Sequence, residues 1–348
     1  MVSFEDIILN NESLSSAGSG PIAALAGCTN GIGLATLHAL LKHTTKPVLY
    51  LIGRDSSRLS SIVSEASKLN ASAALIPIVA DDLTLVSSAQ RAAEEILSHK
   101  PPRLDLLIVS QGYLSLSSQP DFSPEGLDRI TSIRYHARMR MVVTLLPLLR
   151  KSPSPRVISV LASGREGNLD LDDLSMTKTT PGKPYSVFYA VGAASAMTTL
   201  FLEHLATLPG NDRMVFIHIF PGPVADTGLH IRDGSFIIRL LYDWVLKPVM
   251  RVIGSSASEA GERVLFAATN GRFRRVEPAQ RERMKGTLIQ EGTDGVQGSG
   301  VYAVQADSSV VTGGGNKELK RLREMGAARK VWEYTMGEFE RIETMNTQ

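Results

Sequence analysis

A chain of 348 residues, 43% hydrophobic and 21% charged, is long enough to bury one large core or two modest ones. Its 37 basic and 35 acidic side chains leave a net charge of +2. It has no run of five like charges and no basic stripe interleaved with aromatics, which argues against nucleic acid as a partner. The single cysteine, Cys28, excludes an internal disulfide framework, suits a reducing compartment and reads as a small filler in a turn.

Met1 to Gly20 lacks a basic region followed by an apolar core, so no secretory signal is expected and a cytoplasmic location is. Within this leader, residues 1–20, apolar positions at Phe4, Ile7, Ile8 and Leu14 sketch a helix, and Ser15 to Gly20 form a linker. Next, Ile22 to Ala26 read as a buried strand, Gly27 to Gly33 as a glycine-rich turn and Leu34 to Leu41 as a helix. Glycines permit a tight turn and close backbone approach, and the N–H groups opening a helix favour an anion. Alone, this turn fits either a phosphate cradle or ordinary strand-to-helix punctuation.

Further apolar runs predict strands at 47–52, 74–80, 104–109, 156–161 and 214–220. Helices are expected between them, including a long one over 126–149 and another over 187–208. The alternation predicts an α/β fold: a Rossmann-type doubly wound parallel sheet with helices on both faces, over residues 21–270. The C-terminal extension, 271–348, carries a short strand at Val301–Val304 and a final helix from Glu318 to Ile342, packed on the core. The most lipid-like segment, Phe236 to Ile253, is interrupted by Arg239, Asp243, Lys247, Pro248 and Arg251, so no membrane insertion is expected. The seven histidines show no metal-site spacing, and His218, inside a strand, reads as a core residue.

In an open parallel sheet, ligands bind beyond the carboxyl ends of the strands, where the strand order reverses. The residues found there are Gly27 to Gly33, Gly53-Arg54, Asp82-Leu83, Gln111-Gly112, Ser163 and Pro221-Gly222-Pro223-Val224. The Gly27-xxx-Gly31-x-Gly33 spacing, Asp82-Leu83, Gln111-Gly112 and Pro221-Gly222-x-Val224 together resemble the short-chain dehydrogenase/reductase family, over about residues 20 to 270. The tail motifs Gly261-Glu262-Arg263, Gly298-Ser299-Gly300-Val301-Tyr302 and Val331-Trp332-Glu333 resemble a fungal branch linked to secondary metabolism.

The resemblance implies a nicotinamide cofactor held by Gly27, Thr29, Asn30, Gly31, Ile32, Gly33, Arg54, Asp82, Leu83, Gln111, Gly112, Pro221, Gly222, Val224 and Thr227. Arg54 stands where an acid would hold the ribose hydroxyls, and with Ser56, Ser57 and Arg58 behind it the position suits the 2′-phosphate of NADP. The family's lid over the substrate would fall at 232–268, where the apolar stripe from Phe236 to Val245 implies a small hydrophobic metabolite. Homodimers through the two long helices are common in the family, and the C-terminal addition could block that packing.

The catalytic set departs from the family. A Tyr and a Lys four residues apart normally move the hydroxyl proton during hydride transfer, with a Ser at the preceding strand end and an Asn in the long helix. Counting from Leu205-Ala206 places Val191 and Ser195 in the Tyr and Lys positions, and counting from Leu145–Leu149 places Arg134 in the Asn position. The Ser position falls on Leu161 or Ala162, beside Ser159 and Ser163. The candidate substitutes are Arg134, which could polarise a carbonyl or an enolate, with Ser163 and Tyr189. Each also has a structural reading: an ion-paired arginine, a turn serine and a core aromatic. The functional expectation is an NADP-dependent oxidoreductase, with a non-redox isomerase or cyclase, or an inactive nucleotide-binding protein, as alternatives.

Overall fold

A computed structural model of the chain describes residues 1–176, 186–225, 244, 254–284 and 286–347. Its sheet is built from β1 (Ile22–Ala26), β2 (Val48–Gly53), β3 (Ala74–Val79), β4 (Leu106–Val109), β5 (Arg156–Val160), β6 (Val215–Ile219) and β7 (Val301–Val304). All pair in parallel, in the order β3-β2-β1-β4-β5-β6-β7. Every residue of β1, β4, β5 and β6 is buried, the result expected when helices cover both faces of a parallel sheet. Pro77, which has no N–H for a ladder, sits in the edge strand β3. The strand assigned from sequence to the C-terminal extension is the seventh strand of this sheet.

Side chains alternate between two cores. Ala23 and Leu25 of β1 face one, shared with α2 (Gly31–His43), α3 (Ser56–Leu69) and α8 (Ala257–Thr269). Ile22, Ala24 and Ala26 face the other, shared with α4 (Val86–Ser98), α6 (Ala137–Leu149) and α7 (Val187–Thr207). The leader forms α1 (Phe4–Ser13), which buries Ile7 and Asn11, and the Asn11 amide donates to the carboxylate of Glu262 on α8 at 2.7 Å.

The helix expected over 126–149 is not continuous. It opens as the single turn α5 (Arg129–Thr131), widens into a π segment over Ser132–His136, and becomes regular only in α6. The widened turn accommodates a buried side chain, since the Ile133 carbonyl accepts from Nε of Arg138 at 3.3 Å. Two C-terminal helices, α9 (Lys317–Glu324) and α10 (Ala327–Thr347), close the second core. Val331, Thr335, Phe339 and Ile342 form the buried stripe of α10, whose Trp332 packs on Phe201 of α7 at 4.9 Å.

Of the region 232–268 expected as a lid, 257–268 lie within α8, packed on α2; apart from Trp244 and residues 254–256 the remainder lies outside the described residues. Among the described residues no helix is long and apolar enough to cross a membrane.

Candidate active site

The strand order reverses between β1 and β4, so their carboxyl ends open the crevice. Gly27 leaves β1 with φ +83°, and a Cβ there would lie 2.6 Å from the Gln111 nitrogen at the end of β4. At Gly33 a Cβ would lie 2.2 Å from the Gly27 carbonyl oxygen. Thus the first turn of α2 can approach the strand ends only with glycine at these points. Asn30 caps α2, its side chain accepting from the Gly31 N–H at 2.8 Å. Thr29 leans on Gly53, Ile32 is half-buried under the turn, and Cys28 is fully enclosed, with burial pushing its thiol up to about 12. Cys28 is therefore an inert filler.

At the end of β2, Arg54 is exposed. Asp55 is committed to its own helix: its carboxylate caps α3, accepting from the Ser57 hydroxyl at 2.6 Å and the Arg58 N–H at 3.0 Å, which holds its pKa down. The Arg58 guanidinium reaches back to the Thr29 carbonyl at 3.5 Å, so two cationic groups flank the rim of the glycine turn.

Asp82 accepts from Thr84 and, at 2.9 Å, from Arg129, and these contacts outweigh burial to lower its pKa. Beside it Leu83 is buried. Gln111 is 5% exposed, and neither atom of its carboxamide has a hydrogen-bond partner among the described residues. Such a group costs about 1–3 kcal/mol unless a ligand or water satisfies it. Next to it, Gly112 leaves room below the turn, where a Cβ would meet only Arg138 Nη2, at 3.8 Å. Past β6, Pro221 and Gly222 lead to Val224, which is buried and bridges to Ser255. Thr227 lies outside the described residues.

The three candidate catalytic residues are each engaged with a different neighbour. Arg134 donates to the Tyr113 carbonyl at 2.7 Å, beyond β4. The Ser163 hydroxyl is fully buried and donates to the Val304 carbonyl of β7 at 2.7 Å, while Gln305 donates to its oxygen. Tyr189, in the first turn of α7, is half-buried; burial, together with the charges of Asp170 and Asp173, raises its pKa. That environment opposes the activation that a proton-transferring tyrosine needs. Val191 is half-buried and Ser195 fully buried, and α7 contains no lysine.

The anchoring of Arg138 and the hydrogen-bond chain around His218 were not apparent in the sequence, whereas the burial of His218 in the core was expected and is found. Arg138 is 1% exposed, and its guanidinium spans the ends of β4 and β5. It donates to the Val160 carbonyl at 2.8 Å, to the Ser159 hydroxyl at 3.1 Å, to the Val109 carbonyl at 3.4 Å and to the Gln111 carbonyl. Behind it, His218 is a core residue with a defined tautomer: the Ala162 N–H donates to Nε2 at 3.1 Å, so Nδ1 carries the proton toward Thr199 at 2.9 Å. Thr199 in turn donates to Glu166 at 3.0 Å.

Burial pushes His218, and likewise His136, from 6.5 down to about 3. Both are neutral in the folded state and would charge on unfolding as pH falls below 6.5. Stability is therefore expected to fall between pH 6.5 and 4, by up to about 1.4 kcal/mol per pH unit for each histidine. Glu166, raised by burial, works in the opposite sense. Urea midpoints across this pH range check the sign, and a His218→Gln variant should flatten the slope. Among the described residues no cluster of three His, Cys, Asp or Glu could hold a metal ion.

Residues 21–168 match the family described as short chain dehydrogenase. The oxidoreductase andH of Emericella variicolor is 31% identical across 98% of this chain and 98% of its own length. The short-chain dehydrogenase/reductase SAT2 of Stachybotrys chartarum is 28% identical across 94% of each. Among solved structures, the L-sorbose reductase of Gluconobacter frateurii, complexed with NADPH and L-sorbose, superposes with a TM-score of 0.54 at 16% identity, covering 72% of this chain and 90% of that one.

Proposed function

Because the chain belongs to the short-chain dehydrogenase/reductase family, we propose that it is an NADP(H)-dependent oxidoreductase interconverting a ketone and an alcohol on a hydrophobic small molecule of fungal secondary metabolism. The observation that carries this reading is the glycine cradle bounded by Gly27 and Gly33, with Arg54 and Arg58 at its rim. The residues fit the group: lacking side chains, Gly27 and Gly33 let the first turn of α2 sit against the strand ends, where its N–H groups can meet a pyrophosphate, and the buried Gln111 carboxamide has no polar partner among the described residues. Once bound, the cofactor supplies hydride transfer at its nicotinamide ring.

The residues of the chain divide the remaining work. Ile32 and Gly33 offer helix N–H groups to the phosphates, and Arg54 with Arg58 neutralises the 2′-phosphate. Arg134 polarises the substrate oxygen, a role that moves no proton. The hydrophobic substrate class rests on the stripe from Phe236 to Val245, of which only Trp244 lies within the described residues. Arg54→Asp is expected to weaken NADPH binding by about 10- to 100-fold, the worth of one or two charge-assisted bonds, and to narrow the preference over NADH. Fluorescence titration with both nucleotides checks it.

A second reading is favoured by α7, which offers Val191 and Ser195 where a proton-transfer pair would stand: an isomerase or cyclase on the same fold, using Arg134 to steer an enolate. Following NADPH absorbance with candidate ketones separates the two. Turnover with oxidation supports the first, and product formed without oxidation supports the second. Nucleotide binding with no product points to a protein without turnover. An Arg134→Ala variant with full turnover would remove Arg134 from either mechanism.

A further inference from the structure

Among the described residues Arg138 has no counter-ion. Its five hydrogen-bond partners are the Ile133, Val109, Val160 and Gln111 carbonyls and the Ser159 hydroxyl, all neutral. Among the described residues no carboxylate forms an ion pair with it. An enclosed arginine is ordinarily paired with an acid, because an uncompensated charge in a low dielectric is costly. Burial and the nearby charge of Arg134 lower its pKa to about 9, so it remains protonated at neutral pH. The carbonyl cage holds it in place: Val109 and Val160 are the last residues of β4 and β5, and Gln111 lies two residues beyond β4.

This position has a consequence for the bound nucleotide. The glycine turn after β1 and the arginines after β2 take the pyrophosphate and adenosine end, so the nicotinamide half falls to the β4–β5 side of the crevice. We infer that Arg138 supplies a fixed positive charge to that half of the site, so that the chain binds the neutral dihydronicotinamide of NADPH more tightly than the cationic ring of NADP⁺. The inference rests on the cofactor reading above. It sets a working direction by deciding which form is loaded and which leaves. In that direction the reduced nicotinamide would supply the hydride and its electron pair to the carbonyl carbon and be oxidised, the C=O π pair would pass to oxygen, and a proton from solvent would complete the alcohol. Arg138 would disfavour the cationic oxidised form and so favour its release.

The test is equilibrium titration of the full chain, without substrate, with NADPH, NADP⁺ and 2′-phosphoadenosine diphosphoribose, which keeps the phosphates and lacks the ring. The wild type should bind NADPH at least about tenfold more tightly than NADP⁺, the scale of one nearby like charge at an intermediate dielectric. Arg138→Gln should reduce that ratio to about threefold or less while leaving affinity for the ringless nucleotide within about twofold. Arg138→Lys, which keeps the charge and loses the fork, should retain the ratio. A purely structural role would weaken all three nucleotides together. Equal wild-type affinities for the two redox forms, or a glutamine variant with the wild-type ratio, would overturn the inference and leave the cofactor reading intact. Failure of every nucleotide to bind would overturn both. Should the glutamine variant not fold, the wild-type ratio decides.

Discussion

Gly33→Ala is expected to lose about 3 kcal/mol of stability and at least about a hundredfold in NADPH affinity. The added methyl would lie 2.2 Å from the Gly27 carbonyl oxygen and 2.6 Å from the Ser110 hydroxyl oxygen. The first contact is the decisive one, because Gly27 is backbone and cannot rotate away. Ser110 is also committed, donating to the Ala26 carbonyl at 3.1 Å. Relief requires α2 to move off the ends of β1 and β4, which places the cost at the upper end of the overpacking range. The same movement withdraws the helix N–H groups from any phosphate, so binding should fall even in the folded fraction. Gly271→Ala is the control: a Cβ there meets nothing within 4 Å, and its effect should stay within about 0.5 kcal/mol. Urea unfolding of both variants, with an NADPH titration of the folded fraction, checks the pair. A Gly33→Ala protein with a wild-type urea midpoint would show that the turn yields more easily than its backbone contacts indicate.

The sheet was legible because buried parallel strands are continuous apolar runs, and all seven could be placed within two residues at either end. β7 was visible as a strand and not as part of this sheet, since four apolar residues beyond a long excursion carry no sign of which edge they join. The π segment was hidden because no Gly or Pro within Ser132 to His136 interrupts the helical run, and the accompanying contact with Arg138 is one that periodicity does not reveal. Arg138 itself was overlooked because charged residues are read as solvent-facing. The available signal was its surroundings: it lies four residues from Arg134 in a helix where Ile133, Met139, Met141 and Val142 leave no polar face between them. For Ser163 and Tyr189, chain position could be counted from strand and helix ends, whereas side-chain direction depends on Val304, Asp170 and Asp173, far away in sequence or set by loop geometry.

Phe339→Ala is expected to destabilise the chain by about 3–5 kcal/mol, the cost of a phenyl-sized cavity in a core that cannot collapse. Phe339 is 1% exposed, lies under the Arg140 guanidinium at 5.1 Å, and belongs to the same cluster as α4, α6 and α7. Around it α10 is held by polar contacts as well: Tyr135 and Thr335 share a hydrogen bond of 2.5 Å, Arg140 pairs with Glu343, and Arg341 donates to the Glu125 carbonyl at 2.6 Å. Glu125 in turn caps α4 through the Val86 and Ser87 N–H groups at 2.7 and 2.9 Å, so loosening α10 should loosen the start of α4 as well. Hydrogen exchange should therefore report faster opening at residues 86–90 in the variant, with the α2 and α3 amides on the opposite face unchanged below the global limit. Because α10 lies over α7 and reaches α6 through Arg140, a second copy pairing through those helices would first have to displace it. Stability that is independent of protein concentration in the wild type, and concentration-dependent in a chain ending at Gly326, is the expected result of sedimentation and urea titration together. α10 covers an apolar face in cis, and the same face uncovered would become a surface for self-association.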